Sequence, residues 1–260
     1  MDFKKKALGL GSRILRIVGI IAVIYVSMVF YLALTERRNA FPRAITHKEA
    51  REAIATTAKS ISCTMEDGTV LEGWSTGKQG DATFLYYPDA DEDAAQFIAE
   101  VQELDGTALV AFNYRGSGNN KGTPSEETFV PDARGIFECA SQVNGQAPAY
   151  LAGRGTGAIL AAKMSGNEKK LILIDPLGSI ADAINGKYRL LYPKFLVRTD
   201  VEIPREILQK TDNRAVLLAD RKMYSDRNHT FIRDFGQIHT LERDENTLRR
   251  TLSILINEEK

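Results

Sequence analysis

From Ile17 to Leu34 the chain reads IVGIIAVIYVSMVFYLAL, eighteen residues without a charged side chain. Wound as a helix with about 1.5 Å of rise per residue, such a stretch covers most of a bilayer core of about 30 Å. A helix that is apolar on every side is either a membrane span or a buried helix of the soluble fold; we read this segment as the span, which divides the chain into an anchor and a soluble remainder. The competing reading is a cleaved signal peptide. Its apolar region is usually about 7–15 residues long and ends in a small-x-small cleavage site, whereas here the exit is Tyr31-Leu32-Ala33-Leu34-Thr35. The expected organisation is therefore a basic cytoplasmic tail over 1–16, a transmembrane signal anchor over 17–35, a polar stem over 36–58 and a soluble domain over 59–260.

Charge sets the orientation and narrows the partners. Lys4, Lys5, Lys6, Arg13 and Arg16 precede the apolar run against Asp2 alone, and Arg37, Arg38 and Arg43 follow it. The bias favours the N-terminus inside and the soluble domain outside the cytoplasm. Over the whole chain 34 Lys and Arg balance 34 Asp and Glu, so no global field draws it to nucleic acid, and no nucleic-acid partner is expected. The partners expected are the membrane itself, through 17–35, and a protein or small ligand. Disulfides are allowed outside the cytoplasm, yet Cys63 and Cys139 are the only cysteines and are read as two buried free thiols. CxxC is absent and His47, His229 and His239 are scattered, so neither a metal site nor a cofactor is expected.

Beyond residue 58, short apolar runs alternate with amphipathic stretches long enough for helices, the pattern of an α/β domain with a mostly parallel sheet. Eight strands are read at 60–65, 69–74, 82–87, 107–113, 148–152, 170–174, 214–219 and 236–241. The clearest helix lies over 126–144, where Phe129, Ala133, Ile136, Phe137, Ala140 and Val143 recur at three- and four-residue spacing. A last helix is expected at 245–257 with Asp244 as its N-cap.

Ligands of open α/β sheets bind at the C-terminal ends of the parallel strands. The most informative such end is Leu151-Ala152-Gly153-Arg154-Gly155-Thr156-Gly157-Ala158. As a dinucleotide fingerprint, Gly153, Gly155 and Ala158 fit G-x-G-x-x-[G/A], and Asp175 ends the following strand where a ribose-binding acid belongs. As a nucleophile elbow, G-x-S-x-G, the turn keeps both flanking glycines but carries Gly155 where the nucleophile would stand. Its place in mid-sheet, after several strand and helix units, suits the elbow.

A family resemblance points the same way. Asn113-Tyr114-Arg115-Gly116-Ser117-Gly118 followed by Gly122-Thr123-Pro124-Ser125-Glu126-Glu127 resembles the D-Y-R-G-x-G to P-S-E segment upstream of the elbow in α/β hydrolases. The likeness is greatest to membrane-anchored serine hydrolases and prolyl-oligopeptidase-like esterases. Asp175-Pro176-Leu177-Gly178-Ser179-Ile180 is similar to the next strand end of that branch. The resemblance implies an α/β-hydrolase-like fold with a degenerate triad. Gly155 takes the nucleophile position, Met223 the acid position (with Asp220 and Asp226 nearby) and Glu245 the base position, while His239 falls about six residues early. The oxyanion loop, H-G-N in relatives, reads Pro88-Asp89-Ala90 and brings in a carboxylate.

The expected function is a membrane-anchored, non-catalytic hydrolase-like protein with a binding or scaffolding role. Its ligand pocket would be drawn from Pro88, Asp89, Arg115, Arg154, Gly155, Thr156, Asp175, Asp220 and Asp226. Two alternatives stay open. One is a divergent esterase or peptidase with another nucleophile, using Ser117, Ser179 or the carboxylates; the other is a dinucleotide-binding enzyme using Gly153, Gly155, Ala158 and Asp175.

Overall fold

In a computed structural model of the chain, which describes residues 2–166, 170–188, 191–208, 214–218, 237–241 and 247–257, the apolar run lies inside one long helix, α1 (Asp2–Ala40). The chain forms two compact units, one of Met1–Ala40 with Ala181–Thr199 and one of Phe41–Ile180 with Asp200–Lys260.

In the larger unit the elements follow in the order α2 (Lys48–Ile54), β1 (Lys59–Thr64), β2 (Val70–Ser75), β3 (Ala82–Tyr87), α3 (Ala94–Val101), β4 (Thr107–Phe112), α4 (Glu126–Asn144), β5 (Tyr150–Arg154), α5 (Gly157–Met164) and β6 (Lys170–Ile174). After α6 (Ile180–Tyr188), which begins there and runs into the smaller unit, come α7 (Arg205–Leu208), β7 (Arg214–Leu218), β8 (Gln237–Thr240) and α8 (Thr247–Asn257). The strands form one sheet in the order β1-β2-β4-β3-β5-β6-β7-β8. β2 is antiparallel to β1 and β4, and every other neighbouring pair is parallel. All strands but β2 therefore point one way, and their C-terminal ends share one edge.

Both faces of the sheet are covered, which is why its central strands read as continuous apolar runs. Along β3 the residues alternate: Phe84 and Tyr86 join the cluster formed with α2, α3 and α8, while Tyr87 reaches α4 and donates from its hydroxyl to the Ala133 carbonyl at 2.8 Å. Tyr86 stacks on Phe97 of α3 with ring centroids 3.6 Å apart. α4 spans the expected 126–144, beginning after Ser125 in a capping box with Thr128 and ending at the left-handed Gly145. Its buried stripe is narrower than expected: Phe129, Ala133, Ile136 and Ala140 are buried, whereas Phe137 is half-buried and Val143 is exposed. Strand β5 lies two residues later than expected, taking in Gly153 and Arg154. Asp244, expected to cap α8, lies outside the described residues.

Two expectations are corrected. Cys63 and Cys139 are not free thiols but form a disulfide with Cα atoms 5.9 Å apart. It ties β1 to α4 across 76 residues, a closeness created by packing α4 under the edge of the sheet. Nor is 36–58 a solvated polar stem. α1 continues to Ala40, and α2 buries Ala50 and Ile54 in the core. Arg51 of α2 donates from Nε to Asp93 at 3.0 Å, and its guanidinium carbon lies 4.7 Å from the centre of the Trp74 ring.

Candidate functional site

β3 and β5 are neighbours, with Tyr87 opposite Gly153, so the loop leaving β3 and the turn leaving β5 emerge side by side. The turn has no room for side chains. A Cβ on Gly153 would lie 2.2 Å from the Gly157 carbonyl oxygen, and one on Gly157 would lie 2.1 Å from that of Tyr87. Gly155 sits between them in the left-handed region at φ +53°, and its N–H donates to the Ile174 carbonyl at 3.0 Å. The chain then turns directly into α5 at Gly157.

Against this turn lies the carboxylate of Asp89. Its Oδ1 accepts from the Ala90 N–H at 2.8 Å, the Thr156 N–H at 2.9 Å and the Thr156 hydroxyl at 2.5 Å. A Cβ on Gly155 would meet Asp89 Oδ2 at 2.1 Å and Cγ at 2.3 Å, so the carboxylate fills the volume a side chain at 155 would need.

The loop carrying Asp89 is braced from behind. Glu92 Oε2 accepts from the Asp89 N–H at 3.0 Å and from the Tyr86 hydroxyl at 2.7 Å, while its Oε1 takes Arg154 NH1 at 2.7 Å. The other arm of Arg154 reaches Glu100 at 2.9 Å. Burial holds the Glu92 carboxyl above the usual range, with Arg154 opposing that shift. Burial alone would lower the Arg154 guanidinium, but the acidic groups around it raise it. On the far side the Tyr114 hydroxyl donates to the Pro88 carbonyl at 2.8 Å, and α3 starts at Asp93 in a capping box with Gln96.

No family model matches the chain. Two curated relatives from Mycobacterium tuberculosis, the uncharacterized proteins Rv2307c of strain H37Rv and MT2364 of strain CDC 1551, are each 26% identical over 180 residues, 65% of this chain. The chain spans 64% of the length of these relatives. Among solved structures it is similar to the esterase PF2001 of Pyrococcus furiosus (TM-score 0.58, 15% identity, 84% of this chain and 91% of that one). A second is an alpha-beta hydrolase from Vibrio vulnificus (TM-score 0.57, 15% identity, 84% and 95%). A membrane phospholipase A described as a bacterial virulence factor matches over 98% of this chain and 99% of its own, with TM-score 0.52 and 13% identity. The fold is that of the α/β hydrolases.

In an α/β-hydrolase fold the turn after β5 is the nucleophile elbow. The amide following the nucleophile, together with an amide from the loop after β3, forms the oxyanion hole. The corresponding amides here are those of Thr156 and Ala90, and both donate to Asp89 Oδ1. Both amides are thus already engaged by one side-chain oxygen of the protein itself.

The structure thus brings Pro88, Asp89, Gly155 and Thr156 together, with Arg154 behind them holding Glu92. Asp175 stands at the adjacent end of β6 at φ +42°, its N–H donating to the Leu217 carbonyl at 2.8 Å. Arg115 does not join this group. It is buried, and it grips both carboxylate oxygens of Asp132 on α4, at 2.5 and 2.6 Å, and Asp67 of the β1–β2 turn at 2.7 Å. Ser117 is likewise structural, accepting the Ala44 N–H at 3.0 Å. His47 caps α2 through Nδ1, and His239 stands on β8 opposite Leu217. Asp220, Met223, Asp226, His229 and Glu245 lie outside the described residues. Among the described residues no cluster of three or more His, Cys, Asp or Glu could hold a metal. Sequence reasoning missed Glu92 and Tyr86, whose signal is only a glutamate three residues after Asp89 and a tyrosine in an aromatic strand.

Proposed function

We propose that this is a membrane-anchored protein of α/β-hydrolase fold that does not carry out serine-hydrolase chemistry and uses the strand-end site to bind a partner protein or small ligand. One observation carries the reading: Asp89 occupies both the oxyanion amides and the volume at Gly155. A serine at 155 would collide with that carboxylate, and a substrate carbonyl would have to displace it. The anchor is the apolar stretch of α1, the helix long and apolar enough to cross a bilayer. The basic residues before it favour an inside N-terminus, and the Cys63–Cys139 disulfide supports a domain in an oxidising compartment.

The second reading is a divergent hydrolase of ester or peptide bonds. It draws on the short hydrogen bond from the Thr156 hydroxyl to Asp89, which places a hydroxyl beside a carboxylate base. The dinucleotide reading fares worse, because a diphosphate at this turn would need the Thr156 amide that Asp89 already holds.

Labelling of the full chain by a fluorophosphonate probe separates these readings. The wild-type chain is expected to remain unlabelled. A label on the wild type that maps to Thr156 or another strand-end residue would overturn the non-catalytic reading and favour the divergent hydrolase. An Asp89→Gly/Gly155→Ser variant run beside it tests whether clearing the carboxylate reopens the elbow.

A further inference from the structure

The smaller unit joins the exit of α1 to the segment 181–199, and the junction is built on one carboxylate. Glu36 is only 6% exposed. Its Oε1 accepts from the Arg198 N–H at 2.7 Å, the Thr199 N–H at 2.9 Å and the Thr199 hydroxyl at 3.0 Å, while Oε2 takes the Tyr192 hydroxyl at 2.7 Å. Three residues on, Asn39 Oδ1 accepts from the Tyr188 hydroxyl at 3.2 Å. These contacts fix both ends of the stretch 192–199 to the last turns of α1.

Position along the helix then fixes depth. Glu36 lies two residues past Leu34, the end of the apolar run, a rise of about 3 Å. The polar layer on each side of a bilayer core is about 5–7 Å thick, so whatever is fastened to Glu36 lies within the headgroups. Between the fastening points the chain makes a 3-10 turn over Lys194–Leu196. At its tip Phe195 is 83% exposed, the one exposed aromatic ring outside α1 among the described residues. An aromatic side chain held in water there would be a cost, whereas in the interfacial layer it is favourable. The surroundings are basic. The described residues of 36–38 and 181–199 include five cations, Arg37, Arg38, Lys187, Lys194 and Arg198, against Glu36 and Asp182. Lys194 pairs with Asp182 at 2.7 Å.

We infer that segment 192–199 is a second membrane contact, moored by Glu36 at the depth of the headgroups, with Phe195 inserted into the interface of an anionic bilayer and the basic residues around it facing lipid phosphates. This rests on the reading of α1 as a membrane anchor. An exposed ring and a cluster of juxtamembrane cations are features that favour an anionic lipid surface.

The test places a reporter at the tip. The chain has a single tryptophan, Trp74, so Phe195→Trp in a Trp74→Phe background gives one emitting indole. The full chain is reconstituted into vesicles of phosphatidylcholine and phosphatidylglycerol carrying brominated acyl chains. The introduced indole is expected to emit blue-shifted light and to be quenched, more by brominated phosphatidylglycerol than by the same fraction of brominated phosphatidylcholine. Adding Glu36→Ala should relieve that quenching, with circular dichroism confirming an unchanged fold. Flotation and resistance to alkaline extraction report on the anchor separately. A chain that floats and resists alkali while the indole at the tip stays unquenched would overturn the inference and leave the anchor standing; quenching unchanged by Glu36→Ala would overturn the mooring. A chain that does not float would overturn both.

Discussion

Filling position 155 should reveal how firmly Asp89 is seated. In Gly155→Ser the new Cβ would lie 2.1 Å from Asp89 Oδ2, far inside contact distance, so the carboxylate must swing away and release its three hydrogen bonds to Ala90 and Thr156. With water recovering the freed groups, each bond is worth about 1 kcal/mol, or about 3 kcal/mol together. A serine held in the left-handed region of Gly155, φ +53°, adds about 1–2 kcal/mol. The single variant should lose about 4–5 kcal/mol, a large part of a typical stability of about 5–15 kcal/mol. Asp89→Gly forfeits the same three bonds, about 3 kcal/mol. If the sites were independent the double variant would lose about 7–8 kcal/mol; with the collision gone it should lose only about 4–5 kcal/mol, a coupling of about 3 kcal/mol. Urea unfolding of the full chain in detergent, for the wild type and the three variants, gives the cycle directly. Losses that add to within about 0.5 kcal/mol would refute the claim that Asp89 and position 155 compete for one volume.

Two further tests concern what holds the frame around the site. Replacing Cys63 and Cys139 by alanine opens a loop closed across 76 residues, and loop-closure entropy puts the loss near about 4.5 kcal/mol; an unfolding midpoint that does not move, with or without reductant, would contradict the pairing. Asp132→Ala leaves the buried Arg115 guanidinium without its bidentate partner and should lose about 3–5 kcal/mol. The Arg115→Met/Asp132→Leu pair should recover much of that loss, and a single variant that unfolds like the wild type would show Arg115 to be satisfied elsewhere.

What was legible in the sequence is what repeats or breaks locally. The strands over 82–87 and 170–174 and the helix over 126–144 stand where the apolar runs and capping residues put them, because burial on both faces and a 3.6-residue stripe leave marks in consecutive residues. The glycine turn was legible too, since Gly153 and Gly157 answer to backbone contacts on either side of one tight bend. Apart from the two-residue shift of β5 and the narrower stripe of α4, the misreadings depend on distant residues. Nothing in 36–58 announces that Arg51 will reach Asp93, 42 residues away, so a half-polar helix read as a stem. Two cysteines in different elements give no spacing rule for pairing, and Arg115 in a Tyr-Arg-Gly turn looks as suited to a ligand as to Asp132. The seat of Asp89 was hidden for the same reason: its donors come from its own loop and from a turn 67 residues later.

That seat alters how the departures from a serine hydrolase are weighed. In the sequence, Gly155 and Asp89 look like two separate losses, a missing nucleophile and a spoiled oxyanion loop. In space they are coupled, because a side chain at 155 would need the volume that the Asp89 carboxylate now fills. Glu92, Tyr86 and Arg154 belong to the same arrangement, since they hold the Asp89 amide in the position from which its side chain can reach Thr156. A site that had merely lost a serine would keep empty amides and admit water. Here a side-chain carboxylate already engages those amides, and the loop that delivers it is braced from behind, which is the arrangement the proposed non-catalytic reading expects.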